Sequence, residues 1–243
     1  MTEYLPSTYG DQIADQYDAM HPAIDQAAID LLHDLAAGGP VLELGIGTGR
    51  IALPLAARGL KMQGVDASEA MVARLRAKPG GKDIPVTIAD FREFDLAEKF
   101  ALIFLAFNTI FALQSQEDQI QCFRTVARHL RPGGCFLIEA FVPDLTRFDL
   151  GQRASVRSID TDSAMLELSR HDAVAQRVDS QLIRLSSGGL ELYPVRLRYA
   201  WPSELDLMAR LADLTPAHRW ANWQREAFGA TSGFHVSVYR LEE

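Results

Sequence analysis

The sequence predicts an α/β fold, with a parallel sheet covered by helices on both faces and an antiparallel β segment inserted ahead of the last helix. Three observations predict it. Short, wholly apolar runs alternate with amphipathic helical stretches through residue 142, the pattern of buried parallel strands. The first run, VLEL (41–44), empties into the glycine-alternating GIGTG (45–49), a turn that lets backbone approach a ligand. After Pro143 the period changes from helical to two.

Each element follows from its own pattern. Ile24, Ala27, Ala28, Leu31, Leu32 and Leu35 recur at helical spacing, and Gly38-Gly39-Pro40 ends that helix. VLEL is the first strand. A helix over 49–58 ends at Gly59 and carries Pro54 inside it, where a hydrogen bond should be lost. KMQGVD (61–66) is the second strand, and a helix over 68–78 has Ser68 as its N-cap. PVTIAD (85–90) and ALIFLAF (101–107) are the third and fourth strands. Ser115 and Asp118 open a helix that buries Ile120, Phe123, Val126, Ala127 and Leu130 and stops at Arg131-Pro132-Gly133-Gly134. CFLIEAFV (135–142) is the fifth strand. Residues 154–201 then read as an antiparallel meander with one polar face, which should place Arg196 and Arg198 in solvent or at an interface. Pro194 marks an edge strand or a bulge there. Ser203 caps a helix over 203–214, and HRWANWQ and FHVSVYRLE close the chain as two strands. One domain, 1–243, is expected, with 154–201 as an insertion within it.

Composition narrows the function. Of 243 residues, 48% are apolar, enough for a packed core. The net charge of −8 argues against nucleic acid as a partner, because that binding rests on Lys and Arg. No apolar run reaches membrane length. The opening MTEYLPSTYGDQIADQYD is acidic where a signal peptide needs basic and then apolar residues, so a cytoplasmic protein is expected. Cys122 and Cys135 stand next to apolar residues and read as buried thiols. The six histidines have no metal-ligand spacing, and no metal is expected.

The glycine loop differs from the dinucleotide fingerprint. Its third glycine, Gly49, comes one position early, and Arg50 stands where that fingerprint needs Gly or Ala. Glu43, beside the loop, conflicts with a pyrophosphate; a cationic ligand removes the conflict. Asp66 follows Gly45 by 21 residues at the end of the second strand, where carboxylates meet ribose hydroxyls, and Asp90 with Phe91 ends the third. Strand ends line the crevice of an open α/β sheet, so Glu43, Asp66 and Asp90 converge there. Glu43 either caps backbone amides or touches the ligand.

ELGIGTG, VDAS, IADF and LRPGG ahead of a fifth strand resemble the class I S-adenosylmethionine-dependent methyltransferases over residues 40–142. With Tyr17 and FNTIFAL (107–113), the chain resembles the small-molecule methyltransferases of bacterial secondary metabolism, aminosugar N-methyltransferases and peptide amino-terminal methyltransferases among them. The resemblance implies a Rossmann-like, seven-stranded sheet whose last strand is antiparallel, and S-adenosylmethionine as cofactor. It implies that Gly45, Gly47 and Thr48 take the methionine end, and Asp66, next to Ala67, the ribose. Asp90 and Phe91 take the adenine, Phe107 and Asn108 lie beside the sulfonium, and Tyr17 covers the cofactor. The expected reaction is methyl transfer to a small polar acceptor, an amine before a hydroxyl. Three candidate bases stand out: His235 and Glu139, both expected at the carboxyl edge, and His171 on the polar face of the meander. The meander should cover the acceptor or form a dimer contact. Two other readings stay open: cofactor binding without transfer, and a nicotinamide-dependent oxidoreductase, which Glu43 and Arg50 disfavour.

Overall fold

A computed structural model describes residues 3–21 and 24–242. Its strands, in chain order, are β1 (Val41–Leu44), β2 (Met62–Asp66), β3 (Val86–Ile88), β4 (Phe100–Leu105), β5 (Leu130–Phe141), β6 (Gln152–Ile159), β7 (Ser163–Asp172), β8 (Arg177–Ser186), β9 (Gly189–Arg198), β10 (Leu214–Trp220) and β11 (Phe234–Leu241). The helices are α1 (Thr8–Ile13), α2 (Tyr17–Met20), α3 (Gln26–Ala36), α4 (Ala52–Ala57), α5 (Glu69–Arg76), α6 (Gln116–His129) and α7 (Pro202–Arg210).

Seven strands form one sheet in the order β10-β11-β5-β4-β1-β2-β3. Strands β1 to β5 are parallel, and β11 runs antiparallel between β5 and β10. Alternation along the central strands feeds two apolar layers. Ile103, Leu105, Phe136 and Ile138 pack into the layer with α6 and α7. Leu102, Phe104, Cys135 and Leu137 pack into the layer with α3 and α4. Each fully buried Leu or Phe here contributes about 1.5–3 kcal/mol. The chain order reverses at β1, between β4 and β2, which opens the crevice at their carboxyl ends. Strands β6–β9 form a second, antiparallel four-stranded sheet over 152–198, close to the segment expected from sequence.

Several local details differ from expectation. Helix α4 starts at Ala52, which puts Pro54 in its first turn. The amides on either side of it, of Leu53 and Leu55, bond the Gly49 and Ile51 carbonyls at 3.0 and 3.2 Å, so Pro54 omits the one bond between them, as the sequence predicts. Helix α7 starts at Pro202, with Trp201 and not Ser203 at the N-cap position. Proline suits that first helical position because its φ is preset. Pro194 lies on an edge strand, paired with Gln181 and without a bulge. Ser68 and Ser115 do cap α5 and α6, accepting from the amides of Met71 and Asp118.

Two buried polar clusters hold the second sheet and the last strands to the core. Arg198 is buried, not solvated: its guanidinium donates to Gln119 at 2.6 Å, Gln176 at 3.0 Å and Glu204 at 2.7 Å. The end of β9 turns into the body of the protein, so the sheet's outer face becomes interior there. Burial pushes the Glu204 carboxyl upward, but hydrogen bonds from Gln176, Arg198 and Gln116 outweigh it and hold that carboxyl low. The second cluster joins β10, β11 and α7. Arg219 pairs with Asp206 at 2.5 Å and donates to Ser237 at 2.8 Å, and Ser237 shares a 2.8 Å hydrogen bond with His235 Nδ1. His235 is fully buried, its Nε2 has no hydrogen-bond partner among the described residues, and Phe228 packs edge-on to its ring.

Burial, and then the Arg219 charge, push the His235 imidazole down to about 4. The unfolded chain takes up this proton near the ordinary histidine value, and the folded chain only near 4. Stability therefore falls as pH drops from about 6.5 to 4, by on the order of 3 kcal/mol from this group. In urea titrations across that window, His235→Gln should have a shallower acid slope than the parent chain. Equal slopes would mean that His235 protonates as freely folded as unfolded.

Candidate active site

The glycine loop is built around one carboxylate. Asp66 ends β2; its Oδ2 accepts from the Gly47 amide at 2.7 Å and its Oδ1 from the Ser68 amide at 2.8 Å. The left-handed backbone of this loop requires glycine, most plainly at two positions. Gly47 has φ +54°, and Gly49 has φ +76°, with a Cβ there falling 2.3 Å from Leu75 Cδ1. Glu43, on β1 beside Asp66, is 5% exposed, and its Oε2 has no hydrogen-bond partner among the described residues. Burial, and then the Asp66 charge, raise the Glu43 carboxyl well above the ordinary range. Burial raises Asp66 too, against the amides of Ser68 and Gly47. Two crowded carboxylates with an unfilled acceptor fit a ligand that brings positive charge and hydroxyl donors. They do not fit a pyrophosphate.

Across the crevice, Phe107 and Asn108 follow β4 with φ +54° and +61°. Such conformations cost on the order of 1–3 kcal/mol each for ordinary residues. Glu139 stabilises the turn: its Oε2 accepts from the Phe107 amide at 2.8 Å and its backbone oxygen from the Asn108 amide at 3.1 Å. Its Oε1 accepts from the Trp223 indole at 2.8 Å. Asn108 Oδ1 accepts from the Phe141 amide at 2.6 Å. The Phe107 ring is left 42% exposed, and the Arg50 guanidinium sits 4.0 Å from its centroid. Arg50 also donates to the His21 carbonyl at 2.9 Å, and the His21 ring packs 4.8 Å from Tyr17.

The N-terminal helices are tied to this floor. Asp18 accepts from Thr48 Oγ1 at 2.6 Å and pairs with Lys78 at 2.7 Å. Asp11 accepts from Ser68 Oγ at 2.6 Å. Helix α1 also packs against the second sheet through Ile13, which meets Met165, Leu182 and Tyr193. The result is a cavity of about 1250 Å³ between the carboxyl edge, α1–α2 and the inner face of β6–β9. That exceeds the roughly 300–1,000 Å³ of a single small-molecule site.

Ten of the residues expected at the cofactor line this cavity: Tyr17, Glu43, Gly45, Gly47, Thr48, Asp66, Asp90, Phe91, Phe107 and Asn108. Ala67 is not among its lining residues, and neither are His235, Glu139 and His171. His235 lies in the β10–β11–α7 cluster described above. Glu139 faces the Phe107 amide and Trp223. His171 stands behind the wall: it stacks on Phe148 at 4.7 Å and shares a 2.9 Å hydrogen bond with Tyr199, and both of those residues do line the cavity. On the second sheet's inner face, Glu167 accepts from Ser169 and Ser180 at 3.2 and 3.3 Å, with Arg157 at 3.4 Å. His21 and Glu167 were not anticipated from sequence. His21 precedes the first long helix with no periodic signal, and Glu167 reads as one polar position of an alternating strand.

The family description "Methyltransferase domain" matches residues 41–134. The chain is 41% identical to the solved CcbJ methyltransferase from Streptomyces caelestis, with 99% of this chain and 100% of that one covered and a TM-score of 0.92. It is 28% identical to the cypemycin N-terminal methyltransferase of a Streptomyces species, over 86% of this chain and 87% of the relative. The S-adenosylmethionine-bound structure of CalS10, an amino pentose methyltransferase from Micromonospora echinaspora, shares the fold at a TM-score of 0.70 and 20% identity. That match covers 99% of each chain.

The strained turn gives a test of this geometry. Glu139→Ala leaves the Phe107 amide and the Trp223 indole without their acceptor, which should cost about 1–3 kcal/mol in urea unfolding. S-adenosylhomocysteine should bind at least tenfold more weakly by calorimetry, while Glu139→Gln keeps most of the affinity. Unchanged affinity in the alanine variant would show that the turn holds its shape without Glu139.

Proposed function

We propose that this chain, which belongs to the S-adenosylmethionine-dependent methyltransferases, methylates an amine nitrogen of a small polar acceptor bound between the Phe107 turn and the second sheet. The observation that carries this is the continuity of the cavity. It runs from the Glu43–Asp66 carboxylates, past Tyr17, His21 and Phe107, to the polar wall of Glu167, Ser169 and Ser180, with room for more than one ligand. The cofactor, when bound, supplies an electrophilic methyl on a sulfonium and departs as a neutral thioether.

The chain's own residues supply position. Glu43 and Asp66 would hold the cofactor's positive charge and its hydroxyls, and Asp90 and Phe91 the far end of the crevice. Phe107 and Asn108 fix the crevice wall at the reacting end, with Arg50 over the Phe107 ring. Glu167, steadied by two serine hydroxyls, can accept hydrogen bonds from a donor-bearing acceptor. Holding two reactants in line contributes about 7–11 kcal/mol to such a reaction. Burial, and then the charges of Arg50 and Arg157, keep His21 below the ordinary histidine value, so it is neutral at pH 7 and able to take a proton on the cavity wall.

Support for an amine comes from the relatives: two of them are named for methylation of an N-terminus and of an amino pentose. An amine also needs no base in the transition state, only prior loss of its proton. We read the protein as a cytoplasmic enzyme of secondary metabolism acting on a small molecule or peptide. Among the described residues no helix is long and apolar enough to cross a membrane.

Calorimetry should show S-adenosylhomocysteine binding and NAD not binding, with Asp66→Ala weakening the former about ten- to hundredfold through lost charged hydrogen bonds. Release of S-adenosylhomocysteine should then be followed against matched panels of aminosugars, amino-terminal peptides and their hydroxyl counterparts. Amines should turn over, with rates rising with pH as the free amine appears. Turnover confined to the hydroxyl panel would overturn the amine. Binding without turnover of either panel would favour a protein that holds the cofactor without transferring from it.

A further inference from the structure

Given methyl transfer to an amine, on which this rests, we infer that the acceptor also carries a carboxylate, which Arg147, Arg153 and Arg157 hold at the β6 edge of the cavity. Four other arginines of the cavity wall are already engaged. Arg50 donates to the His21 carbonyl, Arg92 to Asp118 and Arg184 to Glu191, and Arg196 lies 3.8 Å from Asp179 and over the Tyr4 ring. Arg147 and Arg157 line the same cavity, and neither guanidinium donates a hydrogen bond to a described residue. The Arg157 Nε stands 3.4 Å from Glu167 Oε2, too poorly aimed to fill it, and Arg147 packs on the Phe148 ring. The Arg153 guanidinium, on the neighbouring inward position of β6, likewise has no hydrogen-bond acceptor among the described residues.

Two stretches of chain build this corner. Asp144 caps the single turn Leu145–Arg147, its Oδ1 accepting from the Thr146 amide and hydroxyl at 3.0 and 2.6 Å. The other stretch is β6, the free edge of the second sheet. There Arg153 pairs across with Ser169 and Ser155 with Glu167, and the bulge adds Arg157 before Ser158. Ser155 Oγ and Glu167 Oε2 are buried, and neither has a hydrogen-bond partner among the described residues. Buried polar atoms are nearly always paired; an unfilled hydroxyl beside three unfilled guanidiniums points to an anionic ligand. Burial, and then the Arg153 charge, push the Arg147 guanidinium below its ordinary value; Arg157 adds to this, and Glu167 and Asp144 oppose it. These five groups carry one net positive charge. Asp149 and Asp160, beyond either end of the group, form no ion pair with it. A carboxylate neutralises that charge and fits the guanidinium fork, whereas a phosphate dianion overshoots it. The Arg157 charge also reaches Tyr9 and His21, whose ring lies 6.2 Å from that of Phe107. The acceptor therefore spans from its amine at the Phe107 turn to its carboxylate at the arginines.

Glycine, β-alanine, 4-aminobutyrate and 5-aminopentanoate form a ruler of amine-to-acid distance, each tested with its primary amide and its phosphonate analogue. At the fitting length the acid should exceed its amide about tenfold in kcat/KM, with the difference in KM. Arg147→Gln combined with Arg157→Gln should bring the acid down to its amide, while circular dichroism and S-adenosylhomocysteine affinity report an intact fold. Arg157→Glu should reverse the order of acid and amide, and Arg157→Lys should keep part of the preference. Acids and amides equal in the parent chain, or a preference that survives the double substitution, would overturn the subsite. Phosphonates preferred over acids would overturn the carboxylate. If none of these amines turns over, their methylation falls, and calorimetry on the S-adenosylhomocysteine-loaded protein decides the subsite separately. Acids must then bind about tenfold more tightly than amides in the parent and equally in the double variant; any other result overturns the subsite as well.

Discussion

Buried negative charge at the carboxyl edge of the parallel sheet is the constraint on which the rest of the structure turns. Glu43 and Asp66 lie at the carboxyl ends of neighbouring strands, and both are buried. Asp66 is stabilised by two backbone amides, one before it in the chain and one after, and that pairing forces the loop between β1 and α4 to curl back over β2. The curl is possible because Gly45, Gly47 and Gly49 all accept left-handed backbone. Glu43 keeps an unfilled acceptor. A fold that buries such a pair without a partner is less stable for it, so the pair marks where binding energy is available to a cationic ligand.

The same economy of backbone explains the opposite wall. The Phe107–Asn108 turn brings an aromatic ring to the crevice at a conformational cost, and Glu139, from the neighbouring parallel strand, offsets it with hydrogen bonds to two successive amides. Parallel register makes this possible: β4 and β5 advance together, so a residue near the end of β5 lies level with the turn that leaves β4. A charged residue inside an apolar strand thus serves the site without lining it. Arg50 serves similarly. The residue that breaks the dinucleotide fingerprint packs on Phe107 and ties the glycine loop to the carbonyl of His21.

What was legible in the sequence was local. Strand runs, the caps at Ser68 and Ser115, and the order of acidic strand ends all rest on neighbours within a few residues or on one repeated period. What was hidden depends on partners far along the chain. Glu139 meets Trp223 across 84 residues and Arg198 meets Gln119 across 79. No periodicity reports such contacts, so Arg198 reads as solvated and Glu139 as a candidate base. His235 looks well placed at the edge because β11 is antiparallel, yet its side chain falls on the α7 side of the sheet, beside Ser237 and Arg219. Ser203 reads as a cap for a smaller reason: a helix start shifted by a residue or two changes which side of a cap a residue occupies.

The second sheet shows how strictly alternation divides labour. Along β7, Met165, Glu167 and Ser169 face the cavity side while Ala164, Leu166 and Leu168 face outward. In β6 the outward residues Val156 and Ile159 are three apart, which simple alternation forbids. A bulge between Val156 and Ser158 resolves this: Arg157 is the extra residue, Ser155 and Ser158 both stay inward, and the outward apolar rows remain unbroken. The bulge also frees Arg157 from the ladder to approach Glu167 at 3.4 Å. One inserted residue thus preserves the apolar face and delivers a cation to the polar one. Were Arg157 to pair in the ladder instead of bulging, the register slip would turn either Val156 or Ile159 inward. The cavity wall and the outer face are therefore properties of a single register, and neither can drift in sequence without the other.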